Sequence, residues 1–142
     1  ARATLKDGTA LAKFRDWMQS CGGDDRVVDE PDRFPVATRK APVFPEQAGY
    51  VVEMDALEMG IASIYLGAGR LKKTDILDLG AGIELHVKQG DPVKPGRPLA
   101  TLHYSETRKP LPDIQDQVRC AVHIGNASRP ADPRIVDVLR DN

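Results

Sequence analysis

The sequence has 142 residues, of which 20 are basic and 21 acidic, so its formal net charge at pH 7 is −1. This length suits one ordinary domain and is sufficient for a core without disulfide or metal support. The near-neutral charge argues against extensive nucleic-acid binding, which requires a basic excess or a concentrated basic patch.

Membrane and secretion signals are not evident in the sequence. No apolar run approaches the roughly 18 residues that a membrane span needs, and the N-terminal residues form no apolar signal core. Cys21 and Cys120 show neither CxxC nor metal-ligand spacing. We therefore expect a cytoplasmic protein with two reduced thiols, with one long-range disulfide as the alternative. The first residue is Ala1 rather than methionine, which suggests a processed chain or a fragment.

The first segment, residues 1–30, predicts two short helices. Thr9 is the predicted N-cap of a helix over Ala10–Cys21, which Gly22-Gly23 ends. Its apolar positions at helical spacing are Leu11, Phe14, Trp17 and Met18. Asp24-Asp25 caps a second short turn. Two short amphipathic helices cannot bury their faces against each other alone, so we interpret this segment as the end of a larger domain.

The second segment, residues 31–45, is predicted to be a proline-rich linker. Its prolines are Pro31, Pro35, Pro42 and Pro45, with Arg33, Arg39 and Lys40 between them. Because proline fixes φ and removes a hydrogen-bond donor, we expect an extended, irregular connector. A basic strap that binds anions is the alternative interpretation.

The third segment, residues 46–142, predicts an α+β domain. Residues 48–54 form a β-prone run, and Asp55 follows it as the N-cap of a helix. The helix is predicted to have one apolar face and to end at Gly67-Ala68-Gly69. That face consists of Leu57, Ile61 and Ile64. A half-buried strand follows over Ile83–Val87, where apolar and polar residues alternate.

The rest of this segment alternates turns with short elements. Turns are predicted at Gln89-Gly90-Asp91 and at residues 93–96, with Val93 pointing inward and Asp91 and Lys94 facing water. The predicted elements after them are a strand over residues 99–104, a helix from Pro112-Asp113 to Cys120 with Ile114, Val118 and Ala121 inward, a strand over residues 122–124 and a helical turn over residues 133–139.

Two groups of residues have a superficial likeness to ligand sites. The run Gly67-Ala68-Gly69-Arg70 contains glycines, but a phosphate loop places them before a helix, where free N–H groups meet the anion. Here they follow the helix, so a helix stop is the better interpretation. His86, His103 and His123 lack the short HxH or HxxxH pair that is typical of catalytic zinc, so we predict no metal site.

Catalytic chemistry is likewise not indicated. Ser63, Ser105 and Ser128 lack the context of a nucleophile elbow. Asp75 and Asp78 lie three residues apart, and acid–base catalysis would need a cleft that shifts their pKa values. We therefore predict no catalytic, substrate-binding or metal-binding residue in this chain, and no cofactor.

The turns between residues 83 and 102 have the rhythm of biotinyl- and lipoyl-carrier domains. Those domains present a modified lysine at the tip of a hairpin. The matching run, Glu53-Met54-Asp55-Ala56, has aspartate there, and a carboxylate cannot form the amide link. A carrier function is therefore disfavoured, whereas the barrel-sandwich geometry is still expected, since the turns specify it independently.

A longer set of residues resembles the C-terminal domain of pyrimidine-nucleoside and thymidine phosphorylases. In residues 46–142 the set comprises Gly49-Tyr50-Val51, Met54-Asp55-Ala56, Gly60-Ile61-Ala62, Leu66-Gly67-Ala68-Gly69-Arg70, Lys73, Asp75, Ala81-Gly82-Ile83, Gly90-Asp91-Pro92-Val93, Gly96, Pro98-Leu99-Ala100 and Leu102-His103. In residues 1–30 it comprises Asp7-Gly8-Thr9-Ala10, Phe14 and Gly22-Gly23-Asp24, and it implies that residues 1–30 are the C-terminal helices of the preceding α/β domain. The sequence departs at Cys21, where the family has glutamine, and the resemblance is weak after Ser105.

The resemblance implies part of a homodimeric glycosyltransferase. Such enzymes use inorganic phosphate to split pyrimidine (deoxy)nucleosides into free base and (deoxy)ribose 1-phosphate. Phosphate and nucleoside bind between a helical domain and an α/β domain, and the residues that hold them lie upstream of this sequence in the family. The resemblance therefore implies that the remainder of the parent chain is the partner and that this fragment alone is inactive.

Three alternatives stay open at this point. The chain could be a free-standing, carrier-like binding module. The related AMP phosphorylases share the domain plan. Specificity for thymidine alone or for several pyrimidine nucleosides cannot be read here, since base selection lies upstream.

Overall fold

A computed structural model describes residues 2–128. The chain divides into two compact units, Ala1–Pro35 and Val36–Asn142. The helical turn predicted over residues 133–139 lies outside the described residues. Among the helices of the described part, none has the length and apolar character needed to cross a membrane.

The first unit consists of short helices. Its elements are α1 (Arg2–Lys6), α2 (Thr9–Ser20) and two 3-10 turns (Asp25–Val28 and Pro31–Arg33). The prediction of Thr9 as the N-cap is wrong, because Gly8 occupies the cap position. Thr9 is instead the first residue of α2. Its N–H (2.9 Å) and its hydroxyl (2.7 Å) both donate to the carboxylate of Asp7.

The end of α2 and the following turn agree with the sequence. The N–H groups of Gly22 and Gly23 donate to the carbonyls of Gln19 and Met18, which confirms the predicted helix stop. The Asp24 side chain then caps the first 3-10 turn. Hydrogen bonds from the Arg26 guanidinium lower the pKa of Asp24 to about 2.

Two three-stranded antiparallel sheets and two helices make up the described part of the second unit, which confirms the α+β class. In the first sheet the strand order is β1 (Arg39–Val43), β5 (Ala100–Tyr104), β3 (Gly82–Leu85). In the second sheet it is β4 (Pro92–Val93), β2 (Gly49–Met54), β6 (Val122–Gly125). The helices are α3 (Ala56–Leu66) and α4 (Leu111–Cys120).

Strand β1 lies inside the segment predicted to be an irregular linker, so that expectation is wrong for residues 39–43. Ala41 and Val43 are buried, whereas Lys40 and Pro42 are exposed. This alternation gives the strand an inward face, and an edge position tolerates the proline. The assignment of residues 1–30 to a preceding α/β domain stays a prediction.

Helix α3 begins where the sequence predicts but packs with a different face. Asp55 is its N-cap and accepts hydrogen bonds from the N–H groups of Leu57 (2.9 Å) and Glu58 (3.0 Å). The face predicted from Leu57 is wrong, since this side chain is 71% exposed and the fully buried residues are Ala62 and Leu66. Nearly all positions of α3 are apolar, so the helical period alone does not identify the inward face.

Two apolar clusters form the core of the second unit. The larger joins the first sheet to α3 and α4, and its fully buried members are Val43, Ala62, Leu66, Ala100, Leu102, Ile114 and Val118. The smaller lies on the second sheet and consists of Val51, Val93, Leu99 and Val122. The inward positions predicted for α4 and for Val93 are confirmed.

Strand β3 ends earlier than the alternation over residues 83–87 predicts. Its last residue, Leu85, is exposed, while Val87 packs against the smaller cluster. The N–H of His86 donates to the Leu99 carbonyl at 2.9 Å. Ile83 and Val87 therefore pack against different clusters, the larger and the smaller respectively.

Val93, the last residue of β4, and Lys94, which follows it, allow a direct test of stability. Val93→Ala should lower the free energy of unfolding by about 1–2 kcal/mol, because it removes two buried methyl groups and leaves a small cavity. Lys94→Ala, at the exposed neighbouring residue, should cost less than about 0.5 kcal/mol. Urea titrations of both variants measure the difference. A larger loss for Lys94→Ala would overturn the assignment of the inward side chain.

Candidate functional site

The three histidines considered as metal ligands form separate contacts. Nε2 of His86 lies 2.7 Å from the Thr101 hydroxyl, and Nε2 of His103 lies 3.1 Å from a carboxylate oxygen of Glu84. His123 is on β6, in the other sheet. The described residues contain no group of three potential metal ligands. This pair joins β3 to β5 at the surface, and the hydrogen bond with His103 lowers the pKa of Glu84.

The candidate serines are also dispersed. Ser63 lies within α3. The Ser105 hydroxyl accepts a long hydrogen bond, 3.5 Å, from the N–H of Thr38, and the Ser128 hydroxyl donates to the carbonyl of Gly90. The contacts of Ser105 and Ser128 thus connect loops to neighbouring backbone, and the Ser105 side chain also hydrogen-bonds the carboxylate of Asp78.

The best organised polar group in the described chain surrounds the C-terminal end of α3. Its centre is Arg108, whose guanidinium donates from Nη1 to the carbonyls of Ile64 (3.1 Å) and Gly69, and from Nη2 to that of Ile76 (3.2 Å). The N–H of Arg108 donates to the carbonyl of Tyr65 at 2.8 Å. The last carbonyls of a helix have no partners within it and carry partial negative charge, so this cation satisfies and neutralises the helix end.

The glycines considered as a phosphate loop belong to this helix end. Gly67 has a φ of 107° and is the C-cap of α3, a conformation that L side chains rarely adopt. The N–H groups of Gly67 and Ala68 donate back to Ile64 and Ser63. The predicted helix stop is thus confirmed.

The two candidate aspartates hold the loop that follows α3. Asp75 accepts hydrogen bonds from the N–H groups of Lys72 (3.0 Å) and Leu71 (2.9 Å), which lower its pKa. Its Oδ2 lies 3.7 Å from Nη1 of Arg108. Oδ2 of Asp75 therefore fixes the backbone of this loop.

Asp78 connects three segments. Its carboxylate accepts hydrogen bonds from the N–H groups of Gly80 (2.9 Å) and Ser105 (3.1 Å), while its own N–H donates to the carbonyl of Gly67 (3.0 Å). A hydrogen bond from the Ser105 side chain, followed by that from the N–H of Gly80, lowers the pKa of this carboxyl. A carboxylate stabilised in its charged form is a poor proton acceptor near neutral pH.

We name these three side chains, Arg108, Asp75 and Asp78, the Arg108 network. A cavity of about 430 Å³ lies beside it, lined by Gly67, Ile76, Leu77, Asp78, Ser105, Glu106, Thr107 and Arg108. The charged groups of the network are directed to backbone partners. Sequence reasoning missed Arg108, because its guanidinium partners lie 32 to 44 residues away along the chain and no local pattern marks it.

Comparison with protein families identifies this unit. Residues 50–125, which contain the Arg108 network and run from the second residue of β2 to the end of β6, match the model of the pyrimidine nucleoside phosphorylase C-terminal domain. The chain belongs to this family. The resemblance drawn from the sequence is therefore confirmed.

Curated relatives extend the match beyond that domain. Pyrimidine-nucleoside phosphorylase of Bacillus subtilis (strain 168) is 40% identical over 119 residues, which cover 82% of this chain and 28% of the relative. The enzyme of Staphylococcus aureus (strain USA300) is 37% identical over 122 residues, covering 86% of this chain and 28% of its own length. The chain thus spans little more than a quarter of the relatives that it matches.

If the planar guanidinium of Arg108 is what stabilises the network, a substitution that keeps only its positive charge should not restore full stability. Arg108→Ala should lower the free energy of unfolding by about 2–4 kcal/mol, because several charge-assisted hydrogen bonds are lost and backbone carbonyls are left without partners. Arg108→Lys should recover only part of this, since an ammonium cannot reproduce the planar fork of donors. Urea unfolding followed by circular dichroism measures both, with Arg97→Ala, at an exposed arginine, as control. Full recovery by lysine would contradict the role of the fork.

The lowered pKa values of Asp75 and Asp78 predict that the folded domain loses stability in acid. Their folded-state pKa values lie below the ordinary one, so as pH falls the unfolded chain binds protons first and stability is lost. Their contribution should be complete above about pH 4, the unfolded pKa of aspartate, and should fall as pH drops through the lowered values. Urea midpoints measured from pH 6 to pH 2 should therefore fall less steeply for Asp75→Asn/Asp78→Asn than for the unsubstituted chain. Glu106→Gln, at an exposed carboxylate, should retain the full slope, and an unchanged slope in the double variant would refute the assignment.

Proposed function

We propose that this chain is the C-terminal part of a pyrimidine-nucleoside phosphorylase. The parent enzyme is a pentosyltransferase that uses inorganic phosphate to split pyrimidine (deoxy)nucleosides into free base and (deoxy)ribose 1-phosphate. The observation that carries this proposal is the match of residues 50–125 to the family's C-terminal domain, together with relatives of that name at about 40% identity. In this proposal the parent is a cytoplasmic homodimer with a role in pyrimidine salvage, and thymidine is among its substrates.

The role of this chain within the parent is structural. Phosphorolysis develops positive charge on the sugar and requires two substrates to be held together, so catalysis depends on charged groups that face a closed cleft. In the described residues Arg108 donates to backbone carbonyls, and Asp75 and Asp78 accept from backbone N–H groups. This arrangement supports a unit that buttresses the rest of the enzyme, with phosphate and nucleoside bound by parts of the parent outside this sequence.

The first unit also supports a longer parent. Helix α2 has exposed apolar side chains at Leu11, Phe14 and Trp17, and the rings of Phe14 and Trp17 lie 5.9 Å apart. Adjacent exposed aromatic and aliphatic groups are typical of a surface that another element covers. We assign that covering surface to the parent's central α/β domain.

A barrel-sandwich arrangement of the two sheets is part of the proposal. The turn before β4 contacts β2 closely, since the N–H of Gly90 donates to Val51 (2.8 Å) and the N–H of Val51 donates to Asp91 (3.0 Å). These bonds support the turn geometry that carrier domains share. They do not favour a carrier function, because Asp55 caps α3 at the end of β2 and no hairpin tip is formed there.

Phosphorolysis assays test the proposal at two levels. The 142-residue chain at micromolar concentration should release no free base from thymidine or uridine in excess phosphate, because the substrate-binding parts are absent. The longer chain that contains this sequence should release base in a phosphate-dependent manner. Phosphate-dependent release by the 142-residue chain would disprove the structural role, and an inactive longer chain would disprove the assigned reaction.

A further inference from the structure

The loop that the Arg108 network holds displays apolar side chains to solvent. Ile76 is 90% exposed and Leu79 is 75% exposed. Val36, which is 80% exposed, belongs to the same region, because the backbone of Gly80 lies directly against the backbone of Val36. We name these three side chains, Val36, Ile76 and Leu79, the Ile76 surface.

The backbone beneath the Ile76 surface is fixed on both sides. The guanidinium of Arg108 binds the carbonyl of Ile76 itself, and the carboxylate of Asp78 binds the N–H of Gly80. A Cβ at Gly80 would lie 2.4 Å from the N of Ala37, so this glycine is needed for the close approach of the two segments. A loop that is ordered before binding loses less conformational entropy when a partner covers it.

The charged residues of the loop that contains Ile76 and Leu79 indicate the charge of its partner. Arg70, Lys72 and Lys73 are exposed in the same loop. Its acidic residues, Asp75 and Asp78, are bonded to backbone N–H groups. The exposed charged residues of this loop are therefore all basic, and Glu106, an exposed carboxylate outside the loop, lines the same cavity as Ile76. A loop of this charge complements an apolar segment that carries carboxylates.

We propose that the Ile76 surface is the docking site for the part of the parent phosphorylase that lies outside this sequence. The inference rests on the proposed function, and the extent of the relatives supports it, since about 28% of their length is matched by this chain. The partner is thus a segment of the same polypeptide that presents apolar side chains and carboxylates. The Arg108 network has the function of presenting the loop in the form that this segment binds.

The test is made in the longer phosphorylase chain, in which accessibility at position 76 can be measured directly. With Cys21 and Cys120 replaced by serine, Ile76→Cys and the matched control Leu57→Cys, at a side chain 71% exposed on α3, are labelled with a maleimide. The thiol at position 76 should react at least tenfold more slowly than the thiol at position 57, and the rates should become equal in denaturant. Equal rates in the native protein would overturn the proposal, and Leu79→Cys provides a second position if Ile76→Cys does not fold.

A photo-crosslinking maleimide at position 76 then identifies the occupant by mass spectrometry. Crosslinks to peptides outside the 142 residues support the proposal. Crosslinks confined to these 142 residues, whether from α2 or from a second copy, would overturn it. Phosphorolysis is measured on the unsubstituted longer chain in parallel, so that an active enzyme with an accessible position 76 refutes the docking site alone, whereas an inactive protein with the expected crosslinks refutes the reaction alone.

Discussion

The second unit depends on the way in which one guanidinium closes the end of a helix. Arg108 reaches the carbonyls of Ile64 and Gly69 at the end of α3 and the carbonyl of Ile76 in the next loop. A buried helix end without such partners would be costly, and a loop without them would have no fixed path. By binding both, the same side chain connects the end of α3, which Gly67 terminates, to the loop that returns to β3.

Local signals in the sequence determined much of the architecture correctly. The cap at Asp55, the stop at Gly67 and the inward residues of α4 follow from interactions among residues close together in the chain. Strand β1 was missed because the prolines of its segment suggest irregular structure, whereas pairing with β5, some 60 residues away, makes it a strand. The inward face of α3 was missed because the residues of that helix are apolar on all sides. Both errors concern partners that no local pattern specifies.

In the candidate site, too, the sequence predicts local contacts but not contacts between distant segments. The sequence correctly indicated that the glycines after α3 end a helix, and the family resemblance located the chain within its relatives. It could not indicate that Asp78 binds the N–H of Ser105, nor that Arg108 lies beside Asp75, because these contacts combine segments that are distant in sequence. Asp75 and Asp78, considered from the sequence as candidates for acid–base catalysis, therefore have a structural role in holding the loop after α3.

Strand β1 has a consequence for the behaviour of this unit among other copies of itself. An outer strand with free N–H and C=O groups can recruit another chain and begin aggregation. Pro42, at the middle of β1, has no N–H, and its carbonyl already accepts a hydrogen bond from the Gln115 side chain at 2.9 Å. The carbonyl of Phe44 is similarly bound by Arg119 at 3.1 Å. Side chains of α4 thus occupy two of the carbonyls through which a foreign strand would attach, and extension of the first sheet on that side is disfavoured.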